Sequence, residues 1–114
     1  MTWQAQQFSP NGQNLSEIGT MVRLISDELG PLGGPMLVIA KIDLKKQLKI
    51  VYGEQSILFL TEFDAEDEEA AKELFVLVAK KLNEAEAKHG MKLALEDAKR
   101  AAGAILRAKF LGRQ

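Results

Sequence analysis

Between Met36 and Glu62 the chain passes through three apolar runs that lie only a few residues apart. MLVIAKIDL sets Val38, Ala40, Ile42 and Leu44 against Leu37, Ile39, Lys41 and Asp43, and its β-branched residues favour a strand. Lys45, Lys46 and Gln47 make a polar turn, after which Leu48, Ile50 and Tyr52 alternate with Lys49 and Val51. Gly53, Glu54 and Gln55 make a second turn, and SILFLTEF supplies a third strand at about 56–62. Turns this short cannot return a chain to a parallel register, so the spacing predicts a three-stranded antiparallel meander.

Helical signals flank the meander. Asn14 and Glu17 have capping-box spacing, and Ile18, Met21, Val22, Ile25 and Leu29 recur at helical intervals up to Gly30 and Pro31. The pattern predicts a first helix over 15–29. The GPLGGP segment at 30–35 then reads as a helix-to-strand turn. It lacks the Lys-Ser/Thr pair of a phosphate loop and leads into a strand, not a helix.

Asp64 caps a second helix whose first turns hold Glu66, Asp67, Glu68 and Glu69, where the helix dipole favours negative charge. Ala71, Phe75, Val78, Leu82, Ala85 and His89 form its apolar seam, flanked by Leu74 and Leu77, and Gly90 closes it. A third helix is predicted over 92–110, with a face of small residues that lets a neighbour approach closely. The alternation of MKLAL at 91–95 leaves a short strand open there as well.

The fold expected from these elements is α+β, in the order α-β-β-β-α-α, with the meander packed against helices. Residues 1–13, MTWQAQQFSPNGQ, read as a flexible N-terminal arm whose Trp3 and Phe8 tuck onto a single domain at 14–112.

The order helix, three strands, helix resembles that of double-stranded RNA-binding domains, which would imply contact with RNA phosphates and 2′-hydroxyls. That family starts the helix after its sheet with lysines, whereas 64–70 here reads DAEDEEA. Five carboxylates repel a phosphate backbone, so the resemblance extends to element order alone.

The 114 residues are 46% hydrophobic and 27% charged, enough apolar material for a core and too much for a disordered chain. No cysteine is present, which excludes disulfides, zinc fingers, iron–sulfur clusters and thiol nucleophiles. The longest uncharged apolar run, Pro31–Ala40, is half the length of a membrane helix, and no basic-then-apolar leader opens the chain. A cytoplasmic protein without membrane contact is expected.

Catalytic motifs are sparse. His89, the lone histidine, stands at a helix C-terminus where it stabilises the dipole. The serines at 9, 16, 26 and 56 lack a Gly-x-Ser-x-Gly elbow, and the acids of the second helix lack EF-hand spacing. No cofactor or metal is expected, and no enzyme.

Charge divides along the chain. Residues 64–90 hold eight acids against four lysines, a net of −4, and residues 91–114 hold six bases against two acids, a net of +4. The expected function is a small protein-protein interaction module, an adaptor, chaperone-like protein or inhibitor, acting as a homodimer or on another protein. Leu106, Phe110 and Leu111 would anchor the partner, Arg107 and Arg113 would form the rim, and the acidic helix would offer a second surface. The alternative is a nucleic-acid-associated regulator using Lys99, Arg100, Arg107, Lys109 and Arg113, against which stands an isoelectric point near 5.9. One further expectation concerns the meander: if helices cover only one of its faces, something else must cover the other.

Overall fold

A computed structural model describes residues 3–8, 18–42 and 45–110. The fold is α+β, but the sheet has five strands and the order is β-β-β-β-β-α-α. The strands are β1 (Trp3–Phe8), β2 (Ile18–Ser26), β3 (Gly30–Ile42), β4 (Lys45–Tyr52) and β5 (Gln55–Leu60). They form one antiparallel meander in sequence order, with β1 and β5 at the edges.

Two expectations are corrected here. The helix predicted over 15–29 is strand β2 from Ile18 to Ser26, with a turn at 27–29. Its apolar residues serve both faces of the sheet, Val22 and Leu24 on one and Met21 and Ile25 on the other, which mimics helical spacing. The capping pair Asn14 and Glu17 lies outside the described residues. The second correction concerns the arm, whose residues 3–8 are an edge strand.

GPLGGP belongs to β3 and is not a plain turn. Arg23 pairs with Met36 and Ile25 with Pro31, so β3 carries three more residues than β2 across that step. Such a bulge bends a strand, and here it turns Leu32 and Pro35 into buried positions. The peptide between Gly34 and Pro35 is cis.

The long helix runs as predicted. Helix α1 (Ala65–His89) starts on a reciprocal cap: the Asp67 backbone N–H donates to Asp64 Oδ1 and the Asp64 N–H to Asp67 Oδ2, both at 3.0 Å. It ends at Gly90, whose φ of 65° only glycine adopts without strain. Helix α2 (Leu95–Phe110) follows a non-strand linker at 91–94, so the short strand left open there does not form.

Both helices lie on one face of the sheet, α1 over β1, β2 and β3, and α2 over β3 and β5. The core between them is a cross-strand row of Val22, Leu37, Ile50 and Leu58, a second row of Ile39 and Leu48, and the helix residues Phe75, Val78, Leu82, Ala98, Ala102 and Leu106. The Tyr52 ring packs closely on α2 at Gly103, where an added Cβ would lie 3.0 Å from it.

β1 is tied to α1 by polar bonds. The Trp3 backbone N–H donates to Asn83 Oδ1 at 2.6 Å, and Asn83 Nδ2 donates to the Trp3 carbonyl at 3.0 Å. Glu86 Oε2 accepts from both Trp3 Nε1 and the Leu93 N–H, joining the first strand to the linker before α2. Among the described residues no helix is long and apolar enough to cross a membrane.

Candidate functional site

The anchors expected on the last helix have separate fates. Leu106 has no exposed surface and Phe110 is 8% exposed, so both are core side chains and Leu106 is closed to a partner. The cause is the orientation of α2, which turns Ala98, Ala102, Leu106 and Phe110 onto the sheet as one stripe. Leu111 and Arg113 lie outside the described residues. Arg107 is exposed, 5.1 Å above the Tyr52 ring, and its Nη2 donates to Gln55 Oε1 at 3.4 Å.

The other cations of α2 are drawn towards acids on the same helix. Lys99 lies 3.8 Å from Glu96, and Arg100 lies 3.4 Å from Asp97. Lys109 stands apart from these pairs at the mouth of a cleft. His89 is exposed beside Gly90, away from the apolar seam predicted for it. Among the described residues, no group of three His, Asp or Glu is placed to hold a metal.

The cleft has a volume of about 450 Å³. It opens between the edge strand β5, the first half of α1 and the end of α2. Leu48, Leu58 and Leu60 of the sheet, Leu74 and Leu77 of α1, and the edge of Phe110 give it apolar walls. Asp67, Glu73 and Lys109 are its charged groups. α1 rests mainly on β1, β2 and β3, and the space between its residues 67–77 and β5 is the cleft. Leu77 is exposed there because the cleft leaves it uncovered. Of the residues singled out in the sequence, Phe110, Lys109 and Asp67 from the acidic start of α1 are brought together, and Leu48, Leu58 and Leu60, which the sequence pattern marks only as strand residues, join them.

A second surface is the sheet face that neither helix touches. Strand register places Phe8, Met21, Val38, Lys49 and Phe59 in one continuous row across all five strands. Beside it runs a second full row, Gln6, Arg23, Met36, Val51 and Ser56. Arg23 Nε donates to Gln6 Oε1 at 2.7 Å, and its guanidinium lies 4.4 Å above the Phe8 ring. Phe59, at the opposite edge, is 50% exposed next to Lys49.

No protein-family model, curated protein or solved structure matches the chain.

Proposed function

We propose that the protein is a non-enzymatic interaction module that holds an extended, apolar and basic segment of a partner protein along β5 and in the adjoining cleft. The supporting observation is the position of the cleft, whose apolar walls begin at an edge strand and whose volume is that of a ligand pocket. Among the described residues β5 pairs with β4 alone. A strand added to its outer side gains main-chain hydrogen bonds for affinity and drops alternate side chains into the cleft for specificity.

Charge selects the partner. Asp67 and Glu73 line the cleft against the single cation Lys109, and Glu66 and Glu69 stand on the same helix. An acidic rim favours lysine or arginine between the apolar residues of the guest. Adaptor, chaperone-like and inhibitor roles all use such capture.

The test is fluorescence polarisation with two labelled peptides, one alternating leucine with lysine and one alternating leucine with glutamate. The first is expected to bind and the second to bind at least about tenfold more weakly. Leu77→Asp places a charge in the cleft wall from an exposed helix position, and it should abolish binding while leaving circular dichroism unchanged. Equal affinity for both peptides, or a Leu77→Asp protein that still binds, would sink the proposal. A homodimer built on β5 would appear in native mass spectrometry as a dimer that the lysine peptide splits, making a second copy the natural partner.

A further inference from the structure

Among the described residues, the outer face of the sheet carries charge of one sign. Arg23, Lys45 and Lys49 occupy register positions on it, and among the described residues no Asp or Glu does. Asp27, Glu28 and Glu54 sit in turns at one end of the sheet, and Glu28 is paired with Lys92 from the helical side. The acids of α1, by contrast, all lie on the helical layer. An isoelectric point below neutrality therefore conceals one basic face.

That face also carries aromatic rings in register. Phe8 and Phe59 end the same cross-strand row on opposite edges, about 19 Å apart over four interstrand spacings. Each ring has a cation as neighbour, Arg23 stacked on Phe8 and Lys49 directly opposite Phe59. Between them Met21 and Val38 make a low apolar floor, and the adjacent row offers Gln6 and Ser56 as hydrogen-bonding groups.

We propose that this face binds single-stranded nucleic acid, with bases laid on Phe59, phosphates met by Arg23, Lys45 and Lys49, and Phe8 holding the Arg23 guanidinium in place. An exposed ring beside cations, on a sheet face that neither helix touches, suits unpaired bases, which expose both flat faces, whereas a duplex hides them. A second copy of the chain fits less well, because the same face would bring three cations and no carboxylate against three cations. The inference is independent of the cleft beside β5, which lies on the other side of the sheet.

Fluorescence anisotropy tests it, using labelled oligothymidylate of about 15 nucleotides and a duplex of equal length. The single strand should bind, and three phosphate contacts should cost about twentyfold in affinity between 50 and 200 mM salt. Phe59→Ala removes a half-exposed ring and no core contact, so it should weaken binding about tenfold or more with an unchanged thermal midpoint. Lys49→Glu should weaken it further and flatten the salt dependence. Absence of binding at 50 mM salt would overturn the proposal. So would binding that both variants leave intact, or equal affinity for the duplex. A dimer that Phe59→Ala dissociates, with no oligonucleotide bound at either salt concentration, would assign the face to self-association instead.

Discussion

On β4, Ile50 has no exposed surface, and Val51, the next residue, is half-buried on the opposite face. The two side chains are similar in size and polarity, and on β3 each faces an apolar residue, Leu37 for Ile50 and Met36 for Val51, while on β5 Ile50 faces Leu58 and Val51 faces Ser56. What separates them is the helical layer. Ile50 lies beneath it and Val51 does not. Alternate residues of one strand thus answer to different constraints, one set to packing density and the other to whatever approaches from solution.

The contrast can be broken most forcefully with a matched pair of truncations. Ile50→Ala should cost about 2–5 kcal/mol in urea denaturation, because its cavity would be walled by residues that cannot collapse, and Val51→Ala should cost under about 1 kcal/mol. Equal losses would mean that the outer face is also packed. A sharper probe of the covered face is Gly103→Ala, which forces a methyl group against the Tyr52 ring at 3.0 Å and should cost about 1–3 kcal/mol. Thermal unfolding checks it, and an unchanged midpoint would show that α2 can ride away from the sheet. The smallest effect expected is from Asp64→Ala, which deletes the cap of α1 for about 1 kcal/mol and shortens the helix without moving either sheet face. Circular dichroism at 222 nm would register the frayed first turn.

The legible parts of the sequence were those fixed by local chemistry. Asp64 and Gly90 bracket α1 through backbone groups that only nearby residues can satisfy, and the turn at Gly53 and Glu54 makes β4 and β5 a hairpin. The first third of the chain departs from its local pattern for a non-local reason. Met21, Val22, Leu24 and Ile25 are apolar on both sides of β2, so neither period dominates, and pairing to β1 and β3 decides the conformation. WQAQQF has large residues only at its ends, and it becomes a strand because β2 offers an edge and Asn83 holds Trp3. Of the cleft, Phe110 and the acids of α1 were visible one at a time. Their convergence with Leu58 and Leu60 depends on the standoff of α1, which no spacing records. The aromatic row on the outer face needed the register of all five strands, including two that the sequence pattern did not reveal.

The amide of Asn83 stands in for a strand at Trp3, giving and taking one hydrogen bond as a neighbouring backbone would. That makes β1 hostage to a helix formed much later in the sequence. During synthesis β1 and β2 can meet early, but the clamp on Trp3 waits for a residue 80 positions later and for the helix that carries it. Until α1 has formed and docked, the large indole of Trp3 has no roof, and the nascent chain shows solvent an uncapped edge and an unburied aromatic together. The first of the five strands is therefore among the last to be locked.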